Sequence, residues 1–330
     1  MSEKKGVILS GMRPTGKLHL GNLFGALENW VKLQDEYRCF FCIVDWHALT
    51  TAYEESLNIK ANVREMVLDW LSCGIDPEKS VVFKQSDVKE HAELHLLLSM
   101  ITPLSWLERV PTYKERLQQP EGRNLATYGF LGYPLLQAAD ILLYKADAVP
   151  VGEDQAPHIE FTREVARRFN YLYDQKVFPE PATILNEYKL VPGLDNRKMS
   201  KSYNNVIEIS VPPEEIPSQV RKMITDPGRI RKNDPGNPQI CSIYAFHRIF
   251  NQQELSKIEA ACREGQIGCV ECKNNLSGYM QSYLAPIFEK RRELEKDPQA
   301  IDDLLAKGSE KAREVAAVTM QEVRSAIGLL

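Results

Sequence analysis

Apolar residues in the first part of the chain fall into short runs that alternate with longer, periodic stretches. Val7-Ile8-Leu9 is one run, and Cys39 to Val44 (CFFCIV) is a second, uninterrupted one. A continuous apolar run of strand length predicts a parallel strand covered on both faces. Between the two, Gly21 to Asp35 carries Leu23, Leu27, Trp30, Val31 and Leu33 at roughly helical spacing. A helix from Leu57 to Cys73 and a strand from Val81 to Lys84 extend the alternation. The pattern predicts an α/β fold, a Rossmann-like doubly wound parallel sheet. Ligands of such sheets sit outside the carboxyl ends of the strands. The Gly11–Gly21 turn and the pair Asp45 and His47 both fall at such ends.

From Val88 to Gly132 the alternation stops. Helical segments from His91 to Val110 and a charged loop from Tyr113 to Asn124 predict a helical insertion, near 88–132, between two halves of the sheet. Tyr133 to Tyr144 (YPLLQAADILLY) follows as a helix. Its polar members Tyr133, Gln137, Asp140 and Tyr144 share one face. Phenols, an amide and one carboxylate among Ala and Leu suit a pocket wall better than a solvated face, which would carry Lys and Glu. The plainer alternative is that Asp140 caps a neighbouring element. Ala148 to Val151 returns to strand, and Gly152-Glu153-Asp154-Gln155 opens the next helix, where acidic residues are ordinary dipole partners. Pro-containing loops then lead to Lys198-Met199-Ser200-Lys201-Ser202. Beyond Pro212 only helical patterns remain, at Pro213–Asp226, Ile240–Phe250, Gln253–Arg263, Glu271–Lys296 and Gly308–Ile327. Two domains follow, a catalytic one over 1–205 and an α-helical one over 206–330.

Composition changes this picture little. Of 330 residues, 43% are hydrophobic and 26% charged, which is ordinary for a globular chain with a sizeable core. The net charge of −4 argues against a non-specific nucleic-acid coat but permits a local basic patch. Arg221, Lys222, Arg229, Arg231 and Lys232 form such a patch, suited to phosphate-backbone contact or simply to solubility. No leader or membrane-length apolar run is evident, so a cytoplasmic location is expected.

The candidate chemistry begins in the first turn, Gly6 to Asn22 (GVILSGMRPTGKLHLGN). A strand feeding a Gly-rich turn and a helix N-terminus presents outward N–H groups to phosphates. Arg13, Lys17 and His19 add donors. Lys198 and Lys201, separated by two residues in a loop, offer mobile cations for charge that develops during phosphoryl or nucleotidyl transfer. Alone, such a pentapeptide reads as a solvated charge run.

Taken together, the Gly11–Asn22 turn, the Asp140 helix, VPVGEDQ and KMSKS resemble the bacterial tryptophanyl-tRNA synthetases of class I. The motifs occur in the family's order across residues 8–202, and the helical remainder fits. The class tetrad ends in His, whereas here His19-Leu20-Gly21-Asn22 ends in Asn, which tryptophanyl enzymes accept. Gln137 stands where many members have Met. The resemblance implies ATP-dependent activation of L-tryptophan, with Mg2+, and transfer to tRNA(Trp) by a homodimer. It implies that Arg13, Pro14, Thr15, Gly21 and Asn22 line the ATP site, with Leu190 beside it and Gly152, Glu153 and Asp154 on the ribose. Lys198, Met199, Ser200, Lys201 and Ser202 would close over the phosphates, and Lys114 would serve the pyrophosphate. Thr15, Asn22, Lys198, Ser200 and Lys201 would be the catalytic set. Asp140 would accept the indole N–H, with His47, Gln137 and Gln155 around it. A tyrosyl enzyme is the neighbouring alternative, and a non-charging tRNA- or protein-binding paralogue lies further off.

The seven cysteines are unevenly placed, and in such a chain they suggest thiols or metal ligands before disulfides. Cys39 and Cys42 lie in a strand, where positions three apart face opposite sides. Cys241, Cys262, Cys269 and Cys272 form a C…C-x6-C-x2-C pattern instead. Four such ligands fit structural zinc or an iron–sulfur cubane. A subset of the tryptophanyl family carries [4Fe–4S] on a matching pattern, so the resemblance implies that cluster before zinc or unligated thiols.

Overall fold

The computed structural model describes residues 4–111, 113, 126–185 and 191–330. In chain order, β1 (Val7–Met12) leads into α1 (Leu20–Asn22), which continues through a π-turn at Leu23–Leu27 into α2 (Glu28–Glu36). Then come β2 (Arg38–Ile43), α3 (Asp45–Ala52), α4 (Ile59–Ser72), β3 (Ser80–Lys84), α5 (Glu90–Ser99) and α6 (Leu104–Arg109). The Asp140 helix is α7 (Tyr128–Leu143), followed by β4 (Ala148–Val151), α8 (Ala156–Leu172) and β5 (Ala182–Leu185). The remainder is helical: α9 (Ile216–Lys222), α10 (Ser242–Phe250), α11 (Leu255–Arg263), α12 (Cys269–Leu294) and α13 (Pro298–Ala326).

The five strands form one parallel sheet in the order β3-β2-β1-β4-β5. Strand alternation splits the apolar run of β2 between two cores. Cys39, Phe41 and Ile43 join the core built with Trp30, Trp70 and Leu284, while Phe40 and Cys42 join the one built with Phe83, Leu142 and Phe169. Both faces are dry, as the continuous run implied. Cys39 and Cys42 therefore point to opposite sides of the sheet and share no site.

The last helix lies directly on the sheet edge. A Cβ at Gly308 would stand 1.8 Å from the Val82 carbonyl oxygen, so only glycine lets α13 approach β3 this closely.

Three local features depart from the periodicity. The helix over Gly21–Asp35 contains a π-turn, which leaves Leu20, Leu23, Phe24, Leu27 and Trp30 all buried in one core. β5 was not expected, because Pro179 and Pro181 read as loop; as the sheet's outer strand it tolerates such flanks. The final helix begins at Pro298 rather than Gly308. Asp297 caps it by accepting the Ala300 N–H at 3.1 Å, and Pro298 occupies the first turn.

Candidate active site

The chain leaves β1 on one side for β2 and β3 and on the other for β4 and β5, so the switch point lies between β1 and β4. A crevice opens outside the carboxyl ends of those two strands. Arg13–Asn22 follows β1 and Gly152-Glu153-Asp154-Gln155 follows β4, which puts two of the sequence motifs on its rims.

The first turn is fixed by its own backbone and by the segment after KMSKS. The Thr15 N–H donates to the Arg13 carbonyl at 2.9 Å. The Leu20 N–H donates to the Ile207 carbonyl at 3.0 Å, and the Ile209 N–H to the Leu18 carbonyl at 2.9 Å. Asn22 reaches back and accepts the His19 N–H at 3.0 Å, closing the first helical turn. Burial, and then the charge of Lys201, pushes the His19 imidazole down to about 4, so it is neutral near pH 7. Arg13 Nη1 contacts the Thr51 hydroxyl at 3.4 Å.

KMSKS folds against this turn. The Lys201 ammonium donates to the Thr15 carbonyl at 2.9 Å, and the buried Met199 sulfur accepts the Gly21 N–H at 3.4 Å. A Cβ at Gly21 would meet the His19 ring at 2.9 Å, so glycine there leaves room for the imidazole packed against the turn. Burial lowers the Lys201 ammonium from its ordinary value, and the Glu208 and Asp69 carboxylates pull it back. Lys198 and Ser202 are exposed, and Ser200 is half-buried. The brace of this loop is Asn205, which the sequence reading missed. Its Oδ1 accepts the Ser200 N–H at 2.8 Å, and its Nδ2 donates to the Lys198 carbonyl at 3.1 Å and to Asp195 at 2.6 Å. Nothing local in the sequence marks Asn205, since its burial is set by the fold.

Asp140 is 2% exposed and is surrounded by donors from three other elements. Gln85, just past β3, donates its amide to both carboxylate oxygens at 2.8 and 2.9 Å. His91 Nδ1 lies 2.7 Å from Oδ1, and His47 Nε2 lies 3.0 Å from Oδ2. His91 Nε2 in turn meets the Tyr144 hydroxyl at 2.8 Å. Burial alone would raise this carboxyl. The partnerships with His91 and His47 outweigh it and hold Asp140 well below the usual carboxylate range. The group is a fixed, ionised acceptor rather than a helix cap. His47 was foreseen beside Asp140; Gln85 and His91 were not, because neither belongs to a motif.

The other expected residues are placed as follows. Tyr133 points its hydroxyl at His158 Nε2, 3.5 Å away, and Gln137 is half-buried on the Asp140 helix. The Gln155 amide donates to Asp154 at 3.0 Å, and Glu153 and Asp154 are exposed at the rim. Lys114 and Leu190 lie outside the described residues.

Among the described residues, no three His, Cys, Asp or Glu side chains are arranged to ligate a metal ion. None of the seven cysteines forms a disulfide. Cys262 and Cys269 lie 3.8 and 3.9 Å from Arg229 Nη1. Burial, followed by the nearby Cys241, Cys262 and Cys269, pushes the Cys272 thiol up to about 12. Arg229, read as part of a surface patch, instead donates to the Lys232 and Ile267 carbonyls at 2.6 Å each.

Residues 1–285 match the model of the class I tRNA synthetases for tryptophan and tyrosine. Over 326 residues the chain is 56% identical to a tryptophan–tRNA ligase of Thermotoga maritima, covering 98% of this chain and 99% of that protein. A tryptophan–tRNA ligase of Aquifex aeolicus is 48% identical at 98% and 99% coverage. The structure superposes on a Campylobacter jejuni tryptophanyl-tRNA synthetase complexed with ADP and tryptophan, with a TM-score of 0.87, 35% identity, and coverage of 98% and 99%. Sheet, switch point and KMSKS loop are thus those of a class I tRNA synthetase. Within that class the chain belongs to the tryptophan–tRNA ligases.

Proposed function

We propose that the protein joins L-tryptophan to tRNA(Trp) in two steps at the crevice between β1 and β4. The carrying observation is the closure of KMSKS on the first turn, Lys201 to Thr15 and Met199 to Gly21, across the place where a triphosphate would lie. In the first step a tryptophan carboxylate oxygen bonds to the α-phosphorus of ATP while the bond to the bridging oxygen breaks, releasing pyrophosphate. In the second, a hydroxyl of the tRNA 3′-terminal ribose attacks the adenylate carbonyl and AMP leaves. No enzyme-bound covalent species is needed, so the residues position reactants and stabilise charge.

Arg13, Pro14, Thr15, Gly21 and Asn22 hold the nucleotide, and Glu153 and Asp154 accept the ribose hydroxyl protons beside Gly152. Lys198 and Lys201, with Ser200 and Ser202, neutralise the departing pyrophosphate. Mg2+, when bound, screens the phosphate charge. Asp140 accepts the indole N–H. Its carboxylate already has four contacts, as many as its lone pairs offer. The indole therefore replaces one of them. His47, at 8% exposure the most accessible of the three partners, is the one that gives way, with Gln137 and Gln155 flanking the ring. The helical part after residue 206 receives the tRNA anticodon, and the protein works as a homodimer in the cytoplasm. In keeping with the last point, no described helix is long and apolar enough to cross a membrane. Pyrophosphate exchange driven by tryptophan but not by tyrosine is the expected result; exchange with tyrosine alone would reject the assignment.

Cys241, Cys262, Cys269 and Cys272 fit a [4Fe–4S] cubane better than zinc. Cys262, Cys269 and Cys272 lie around the Arg229 guanidinium, whose buried Nε lacks a hydrogen-bond partner, with Cys241 beside Cys262 and Cys272, and a cubane holds its thiolates farther apart than one ion does. The cluster would brace α10, α11 and α12 near the anticodon. Protein purified without oxygen should be brown, with iron and sulfide near four each per chain. A colourless preparation with one zinc would reject the cluster.

A further inference from the structure

Beneath the first turn lies an ion pair that no sequence motif marks. Asp69 of α4 is fully buried, and one of its oxygens accepts the backbone N–H of Leu18 at 2.7 Å. Its other oxygen is bound by Arg291, which is 3% exposed and comes from α12 in the C-terminal helical part. Arg291 is held in turn by Glu65 at 2.6 Å, by the Glu65 carbonyl at 3.1 Å and by Glu295 at 2.9 Å. Leu18 sits between the ATP-facing residues Arg13–Thr15 and the Gly21-Asn22 helix start, and its carbonyl already receives the Ile209 N–H. The turn is thus pinned from one side by the segment after KMSKS and from the other by Asp69. The same carboxylate is one of two that act on Lys201.

We propose that Asp69, kept ionised by Arg291, is a positioning residue for adenylation, setting the first turn through Leu18 and tying its geometry to helix α12. The inference rests on the adenylation reading above. A buried carboxylate that loses its cation is uncompensated. It then takes a proton at a higher pH than before, becomes a weaker acceptor for Leu18, and no longer supports Lys201. The groups facing it are Arg291 from α12, Glu65 and Cys73 from its own helix and its end, and Lys201 from the KMSKS loop. Burial already pushes the Asp69 carboxyl up to about 6, with Arg291 pulling it down. Removing Arg291 moves it further up. The defect is therefore greatest at low pH and recedes as pH rises and Asp69 ionises again.

The test uses full-length protein, with Arg291→Met, Arg291→Lys and Asp69→Asn compared to wild type. Arg291→Met should lose about tenfold in kcat/KM for ATP near pH 6.5 relative to wild type, and much less near pH 8.5. KM for tryptophan should hold within about twofold. Arg291→Lys should restore most of the loss. Hydrogen exchange of the peptide spanning residues 13–22 should accelerate in Arg291→Met and Asp69→Asn while α8 peptides stay protected. A folded Arg291→Met with unchanged exchange at 13–22, or with an equal loss for both substrates at every pH, overturns the proposal. Inactive wild type would instead reject the adenylation reading, and the exchange measurement would still judge the anchor.

Discussion

Replacing Asp140 by Asn should abolish tryptophan activation while ATP binding persists. Asn presents one acceptor oxygen where the carboxylate presents two, and it carries no charge to hold His47 and His91 in place. A site built around a buried acceptor discriminates strongly, because a mismatched ligand leaves polar groups unpaired. A loss of about 10³-fold in kcat/KM for tryptophan is expected. Tryptophan-dependent exchange of labelled pyrophosphate into ATP reads it directly. Asn is preferred to Ala because Ala would leave Gln85, His47 and His91 without their shared partner, at a cost of roughly 3–5 kcal/mol in stability. Exchange at the wild-type rate in a folded Asp140→Asn protein would remove Asp140 from the pocket.

Replacing Lys201 by Ala should lower kcat for adenylate formation by about 10²- to 10³-fold, leaving KM for tryptophan nearly unchanged. Lys201 already reaches over the first turn to the Thr15 carbonyl, so a phosphate arriving there meets a cation in place. Charge accumulates on the leaving pyrophosphate only as its bond to the α-phosphorus breaks. A cation serving that charge acts on kcat rather than on ground-state binding. Lys198, exposed on the same loop, should show a similar but separate effect. Single-turnover formation of the adenylate measures both. An unchanged rate constant in Lys201→Ala, with only KM for ATP raised, would reduce the loop to a binding element.

Much of the candidate site was legible because its motifs are runs of contiguous residues. The turn after β1, the rim after β4 and the KMSKS loop each announce themselves within a few positions; the strand order brings the first two to one crevice, and Lys201 and Met199 hold the third against the first turn. The supporting residues were not legible. Gln85 and His91 reach Asp140 from 55 and 49 positions away, and Asn205 braces Lys198 without belonging to its motif. Arg229 looked like one more surface cation until the fold turned it toward the cysteines.

The sequence alone determined the alternation of strand and helix, the two-sided burial of β2 and the motifs that end up around the crevice. Each of these follows from periodicity or from backbone chemistry inside a short window. Tertiary structure alone decided which distant side chains hold those residues still. Asp69 and Arg291 are 222 positions apart, and Gly308 meets Val82 only because α13 returns to the sheet edge. No local pattern encodes such a pairing. A buried charge takes whichever partner the packed helices deliver to it, and that choice is made by the whole fold.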